Sequence, residues 1–315
     1  MLVPATPENI KRAASLLREG ELVAFPTETV YGLGADATNS KAVASIFAAK
    51  GRPTFNPLIV HVKNFEAAAA LGEFSPKAHK IASLFWPGPL TLVVPLRASS
   101  KISELTTAGL QTIAIRVPNH PVAQFLLKES DCPIAAPSAN KSGHVSPTCA
   151  GHVFEDLKDE VSMILDGGSV QHGLESTVIN ASGETLEILR AGVISVQEIS
   201  NDLGIKIVSP PFKNSKVLSP GQLVSHYAPR AELRLNALEA KIGETLIAFG
   251  RAAPSEGTII NLSPDGDLIE AAANLYSTLR GVDKMGFRSV AVMPIPETGI
   301  GIAINDRLRR AAAPR

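Results

Sequence analysis

Two stretches of the sequence, FPTETVYGLG at residues 25–34 and KGRPTFNPLIV at residues 50–60, place polar residues beside predicted strands. The first stretch continues LVAF at 22–25, which predicts a short buried strand, and it places threonines, a glutamate and a tyrosine directly after that strand. The second holds an arginine between Gly51 and Pro53, two positions after Lys50. We therefore expect a hydroxyl-rich turn to face a rigid pair of cations where strands end.

Outward from this pair of stretches, helical and strand periods alternate. The pattern predicts a helix that begins at Thr6-Pro7-Glu8, since threonine caps, proline suits the first position and the acid lies in the first turn. A second helix is expected at about 40–50, with Ser40 as its cap, and further helices at about 65–71, 76–86 and 121–129. Strands are expected at 57–62, 90–96 and 111–117, with a strand-rich region over 133–192. This alternation is typical of an α/β or α+β domain, which we place at residues 1–205.

The composition and the periodicity of the chain change after that domain. Residues 206–230 contain four prolines and no periodicity, so they predict an extended linker. Alternating strand and helical patterns return over 231–315, which predicts a second, small α/β domain at the C-terminal end.

Composition excludes several classes of protein. The 315 residues are 45% hydrophobic and 19% charged, so a large core is expected, and 30 basic residues balance 30 acidic ones. Zero net charge disfavours strong direct binding of nucleic acid. Two cysteines, Cys132 and Cys149, cannot build a disulfide framework or a cysteine zinc site. No secretory signal or apolar membrane-spanning run is visible, so a soluble, cytoplasmic protein is expected.

Two short motifs imitate known sites. Gly32-Leu33-Gly34-Ala35-Asp36-Ala37 matches the dinucleotide fingerprint, but the next helix starts too late and the next strand lacks the acid. We expect instead a turn whose glycines adopt positive φ. Ser138-Ala-Asn-Lys141 matches S-x-x-K, but it enters a loop where a serine-acylase nucleophile would open a helix.

Arginines at the ends of apolar strands carry the chemical argument. Arg116 ends TIAIR and Arg190 ends LEILR, and a guanidinium there costs desolvation unless an anion meets it. An internal salt bridge is the alternative for either one. With Arg52 and Lys50, however, the cations exceed the nearby carboxylates of Glu28 and Glu175, and a polyphosphate with magnesium would match them. The polar set at strand ends and loops comprises Thr27, Thr29, Lys50, Arg52, Asn56, His61, Thr112, Arg116, Ser138, Asn140, Ser146, Ser176 and Arg190.

Seven stretches in order resemble the YrdC-like threonylcarbamoyl-AMP synthase family: FPTETVYGLG, KGRPTFNPL, WPGPLTLV, IAIRVP, APSANKSGHVSPT, ESTVI and ILRAG. SPGQLVSHYAP at 219–229 and the C-terminal GIGIAINDRLRRAA are similar to the linker and the extra domain of the long form. The resemblance implies a large domain with a mixed, twisted sheet and a small Rossmann-like C-terminal domain. It also implies an activity: condensation of L-threonine, bicarbonate and ATP to threonylcarbamoyl-AMP and pyrophosphate. The product would pass to a transferase that modifies position 37 of tRNA.

The same resemblance implies roles for individual residues. The threonine set would be Thr29, His61, Arg116, Ala136 and Ser176. The ATP set would be Lys50, Arg52, Asn56, Thr112, Ser138, Asn140, Ser146, Arg190, His226 and Tyr227. Lys50 and Arg52 would be the catalytic cations, and Mg²⁺ would be held by the ATP phosphates without ligands from the protein.

Two other functions stay open at this stage. A YrdC-like fold could serve as an RNA-binding module, although zero net charge and 5% aromatic residues speak against it. A carbamoyltransferase of the hydrogenase-maturation type contains a related domain, but this chain has no acylphosphatase or zinc-finger segment. For the linker we expect a lid over the nucleotide, with a surface tether as the alternative.

Overall fold

The computed structural model describes residues 1–204, 207–208, 225–251 and 258–314, and these form two sheets with helices around them. The strands of the first sheet are β1 (Leu2–Pro4), β2 (Val23–Phe25), β3 (Gly32–Asp36), β4 (Ile59–His61), β5 (Leu90–Pro95), β6 (Thr112–Arg116), β7 (Ile134–Ala135), β8 (Met163–Asp166), β9 (Thr177–Asn180) and β10 (Glu187–Arg190). The accompanying helices are α1 (Pro7–Arg18), α2 (Ser40–Lys50), α3 (Phe65–Leu71), α4 (Pro76–Phe85), α5 (Glu104–Thr107), α6 (Pro121–Ser130), α7 (Ala150–Leu157) and α8 (Val196–Leu203).

The first sheet has ten strands in the order β1-β8-β2-β3-β7-β4-β6-β5-β9-β10. Parallel and antiparallel pairs mix, since β4 runs parallel to β6 while β5 runs antiparallel to β6. The predicted mixed sheet is therefore confirmed. Helix α1 follows its predicted cap, with Thr6 accepting from the Asn9 N–H and the apolar face of Ile10, Ala13, Ala14 and Leu17 buried.

The second sheet contains β11 (Glu232–Arg234), β12 (Thr245–Ala248), β13 (Ile259–Asn261) and β14 (Ser289–Val292), in the order β11-β14-β12-β13. All its pairs are parallel, and α9 (Leu268–Lys284) and α10 (Gly301–Ala311) accompany them. Parallel strands joined through helices are what the sequence predicts for a small Rossmann-like unit. The exact domain boundaries remain a prediction, and most of the predicted linker lies outside the described residues.

The glycines at 32 and 34 are not in a turn, so that prediction is wrong. They belong to β3, pair antiparallel with β2, and neither has a positive φ. Their role is close approach. A Cβ on Gly34 would lie 2.9 Å from side-chain atoms of both Ile134 and Phe25. The small residues therefore allow strand packing beside the site, where a side chain would clash.

The N-cap of α2 is also one residue earlier than predicted. Asn39, and not Ser40, accepts hydrogen bonds from the Lys41 and Ala42 N–H groups. Among the described residues, no helix combines the length and the apolar character needed to cross a membrane.

Candidate active site

A cleft of about 540 Å³, including its open mouth, lies where β4, β6 and the loops after β2 and β7 meet. Strands β4 and β6 are paired in register, His61 beside Arg116 and Ile59 beside Ala114. Because side chains alternate along a strand, His61 and Ile59 share one face, as do Arg116 and Ala114. That face forms one wall of the cleft.

The cleft gathers ten of the fifteen residues in the two predicted ligand sets. All five of the threonine set line it: Thr29, His61, Arg116, Ala136 and Ser176. Five of the ATP set line it as well: Arg52, Ser138, Arg190, His226 and Tyr227. The other five, Lys50, Asn56, Thr112, Asn140 and Ser146, lie outside its lining.

Arg116 is held rigidly by the turn after β2. Its Nη1 donates to Thr29 Oγ1 at 2.9 Å, its Nη2 donates to Glu28 Oε1 at 2.6 Å, and its Nε donates to the Gly88 carbonyl at 3.3 Å. Thr27 braces the turn, since its hydroxyl donates to the Val30 carbonyl and lies 2.8 Å from that of Thr29. The sequence-level alternative of an internal salt bridge is thus present at Arg116, together with a face open to the cleft.

Glu28 and Arg116 form a buried ion pair, each side chain only 4% exposed. Burial raises the pKa of the Glu28 carboxyl, but the charge and hydrogen bond of Arg116 outweigh burial and leave that pKa lowered. Glu28 is therefore ionised at neutral pH. Its second oxygen, Oε2, is buried without a hydrogen-bond partner among the described residues.

His61 is a neutral imidazole in the wall of the cleft. Burial, and next the positive charge of Arg116, lower its pKa to about 3. Its Nδ1 is buried and has no partner in the described part of the chain. Backbone groups of Ile59 and Ile134 oppose this lowering of the pKa, so the ring packs against β4 and β7 as well as lining the cleft.

Ser176 and Arg190 meet on the opposite side of the cleft. Arg190 donates through Nε and Nη2 to the Ser176 carbonyl at 3.1 and 2.9 Å, and through Nη2 to Ser176 Oγ at 3.0 Å. The Ser176 hydroxyl also lies 2.8 Å from that of Thr91 on β5. A threonine-set residue and an ATP-set residue are therefore in direct contact.

Arg52 is presented by the turn that ends α2. Gly51 adopts the left-handed conformation, with φ of 60°, which suits glycine and reverses the chain. Arg52 then donates from Nε to the Asn56 carbonyl at 3.2 Å and from Nη2 to the Pro57 carbonyl at 2.9 Å. Burial lowers the pKa of Arg52 to about 10; Tyr227 acts against this lowering and the charge of Arg190 adds to it. The guanidinium therefore stays charged at neutral pH. Among the described residues no carboxylate forms an ion pair with it.

Lys50 lies outside the lining of the cleft. Its ammonium donates to the Ser138 carbonyl at 2.6 Å and to the Asn140 carbonyl. Burial first, and then the charge of Arg52, hold its pKa well below the usual value for lysine. The residue therefore fixes the loop that carries Ser138. Its expected place near the phosphates stays a prediction.

The four remaining residues of the ATP set lie outside the lining of the cleft. Asn140 donates to the Lys141 and His144 carbonyls, and Ser146 donates to Glu175 Oε1 at 2.7 Å. Asn56 is fully buried, and neither atom of its side-chain amide has a partner among the described residues. Thr112 begins β6 and Arg116 ends it, so the two lie on the same face of the strand, about 13 Å apart.

The described part of the linker enters the cleft. Tyr227 is 2% exposed, has a φ of 61° and stacks on Tyr276 with ring centroids 5.8 Å apart. Burial lowers the pKa of the neighbouring His226 to about 3, so this imidazole is neutral. Residues 219–224 of the predicted lid lie outside the described residues.

Sequence reasoning missed part of the site. Glu175 lines the cleft and contacts Arg307 and Tyr276 from the C-terminal unit, which the sequence did not connect to it. Glu175 lies in the ESTVI stretch and Arg307 in the C-terminal stretch, so both were marked by resemblance, but 132 residues separate them. Nothing in the spacing indicates that they meet.

Comparisons with known proteins agree along the whole chain. A family model described as "Telomere recombination", which joins Sua5, YciO and YrdC proteins, matches residues 15–192. A second model, described as "Threonylcarbamoyl-AMP synthase, C-terminal domain", matches residues 185–313.

Full-length relatives share this organisation. The chain is 41% identical to the threonylcarbamoyl-AMP synthase of Pyrococcus abyssi over 97% of this chain and 94% of that protein. It is also 41% identical to the synthase of the same name from Bacillus subtilis, covering 97% and 93%. The crystal structure of P. abyssi Sua5 complexed with L-threonine superposes with a TM-score of 0.91 at 38% identity, covering 99% of this chain and 97% of that one.

Proposed function

The chain belongs to the family of Sua5, YciO and YrdC proteins in its long form, and on that premise we propose that it is a threonylcarbamoyl-AMP synthase. The family resemblance seen in the sequence is thereby confirmed. The reaction would condense L-threonine, bicarbonate and ATP to threonylcarbamoyl-AMP and pyrophosphate. The observation that carries the proposal is the joint lining of one cleft by the five residues of the threonine set and by Arg52 and Arg190.

L-Threonine would bind at the end of the cleft formed by Arg116. The guanidinium has a face towards the cleft, where it would pair with the substrate carboxylate, while Glu28 and Thr29 hold it in place. His61 and the hydroxyl of Ser176 line the same cleft and would meet the polar groups of the amino acid. The related P. abyssi Sua5 structure is complexed with L-threonine, which supports threonine as the substrate.

ATP would lie between Arg52 and Arg190. Ile59, which lines the cleft near them, belongs to an apolar cluster with Val93, Ala114 and Val178 on neighbouring strands of the sheet. Each carboxylate at the cleft is already paired, Glu28 with Arg116 and Glu175 with Arg307, so neither neutralises Arg52. A triphosphate carrying Mg²⁺ would supply the missing negative charge.

The chemistry needs positioning more than a nucleophilic side chain. Bicarbonate supplies CO2 with loss of water, and the threonine amine adds to the CO2 with loss of a proton to form a carbamate. A carbamate oxygen then attacks the α-phosphorus of ATP and expels pyrophosphate. Arg116 would hold the carboxylate, and Arg52 and Arg190 would stabilise charge on the phosphates as it develops. Lys50 would act through the loop carrying Ser138, and the product would pass to a transferase acting on tRNA.

We expect pyrophosphate release to require L-threonine and bicarbonate together. With valine, which lacks the hydroxyl, kcat/KM should fall by about a hundredfold, because buried polar groups would be left without a partner. Serine, which keeps the hydroxyl, serves as the matched comparison and should fall less. Equal turnover with threonine and valine would contradict a threonine site built on His61 and Ser176.

The linker is expected to close over bound substrates. His226 and Tyr227 already line the cleft, and exclusion of water would protect the labile carbamate and adenylate. Amide hydrogen exchange should slow across residues 219–228 when ATP and threonine are added. Protection of residues 50–60 beside an unchanged linker would instead identify the segment as a surface tether.

A further inference from the structure

Arg307 of α10 reaches from the C-terminal unit to the edge of the cleft and is fully buried there. Its Nε donates to Glu175 Oε2 at 2.9 Å, its Nη2 to the Ala191 carbonyl at 2.8 Å and its Nη1 to Asp306 Oδ2 at 2.6 Å. The guanidinium also lies 5.0 Å from the centre of the Tyr227 ring. One side chain thus touches both the cleft carboxylate and the linker.

Glu175 is an unexpected group in a cleft proposed to hold two anionic substrates. It accepts hydrogen bonds from Ser146 and Tyr276 as well as from Arg307. Burial raises its pKa, but the charges of Arg307 and then Arg190 outweigh burial and hold it at about 2. The carboxylate is therefore ionised at neutral pH, and an arginine must compensate it.

Two arginines act on this carboxylate, and among the described residues Arg307 is the one that forms a close ion pair with it. Arg190 instead donates to Ser176. If Arg307 were lost, Arg190 would be the remaining arginine near an uncompensated buried charge, and attraction would draw it from Ser176 towards Glu175. Asp306, the other acid on Arg307, would still be paired with Arg310.

We infer that Arg307 and Tyr276 are positioning residues for the nucleotide. Because Arg307 neutralises Glu175 and Tyr276 donates a hydrogen bond to it, Arg190 stays on Ser176. Arg307 and Tyr276 also contact the Tyr227 ring. The C-terminal unit thereby completes the site. This inference rests on the proposed synthase function and adds a role for residues that no ligand set includes.

The test compares Arg307→Met with Arg307→Met/Glu175→Gln in the full chain. Arg309→Met is the matched control, because Arg309 lies on the same helix in an exposed ion pair with Glu297. Pyrophosphate release gives KM for ATP and for threonine separately, and thermal unfolding reports the fold. For Arg307→Met we expect KM for ATP to rise about tenfold and KM for threonine to rise less, by about three- to fivefold, because Arg190 would also leave Ser176 of the threonine set. Removal of the Glu175 charge should return KM for ATP to within threefold of wild type, and Arg309→Met should change neither value.

Failure of the positioning role would look different from failure of the proposed function. The positioning role would be overturned if the wild type is active, Arg307→Met raises KM for ATP and KM for threonine equally, and the added Glu175→Gln change restores neither. A wild type that releases no pyrophosphate would overturn the synthase function, and this inference with it. Should Arg307→Met not fold, Tyr276→Phe decides, because it removes one hydroxyl and keeps the ring stacked on Tyr227. We expect KM for ATP to rise about threefold there, and an unchanged value overturns the inference.

Discussion

Replacement of Arg116 by alanine is expected to abolish threonine-dependent pyrophosphate release and to destabilise the fold. The side chain would be lost both from the substrate carboxylate and from Glu28, with which it forms a buried pair at 2.6 Å. Breaking a buried pair on one side leaves an uncompensated charge and costs about 3–5 kcal/mol. We therefore expect a lower melting temperature as well as loss of threonine binding by calorimetry.

The double variant Arg116→Ala/Glu28→Gln separates these two effects. It removes the buried charge together with its partner, so most of the lost stability should return. Threonine binding should not return, because the carboxylate still has no guanidinium to meet. If the double variant bound threonine within about threefold of the wild type, the assignment of Arg116 would be wrong.

Local patterns in the sequence predicted most of the fold, because helix caps and apolar periods are short-range signals. The cap at Thr6 and the buried face of α1 are examples. The glycines of β3 were misread because a glycine serves both positive φ and close packing, and only the neighbours Ile134 and Phe25 distinguish the two. Those neighbours come from other strands and are not visible in a local pattern.

The candidate site shows the same limit. Residues that end strands, such as Arg116 and Arg190, could be singled out because a cation in an apolar run demands an anion. The hydrogen-bond partners of Lys50 could not be predicted from the sequence, since they are carbonyls about ninety residues away along the chain. The partner of Glu175 could not be foreseen either, because Arg307 belongs to a different sheet unit. The sequence therefore identified the cations of the site, but it did not identify Arg307 as the partner of Glu175.

The second large effect is expected at Arg52. Arg52→Ala should raise the dissociation constant for ATP by tenfold or more, since a lost charge-assisted contact is worth about 1.5–3 kcal/mol. Affinity for adenosine should change little, because the lost group would meet phosphates. Arg97→Ala is the matched control, as Arg97 is exposed and likewise donates to a backbone carbonyl, that of Ala69.

Arg190→Ala should behave differently from Arg52→Ala, and the difference tests the geometry of the cleft. Arg52 bonds only to carbonyls of its own turn in the described structure, so its loss should leave threonine affinity within about threefold of the wild type. Arg190 also donates to the carbonyl and hydroxyl of Ser176, a residue of the threonine set. Its loss should therefore lower the affinity for both substrates, for ATP more than for threonine. Calorimetric titrations of both variants with each substrate would measure this. Wild-type affinity for ATP in Arg52→Ala, in a protein that melts like the wild type, would remove Arg52 from the nucleotide site.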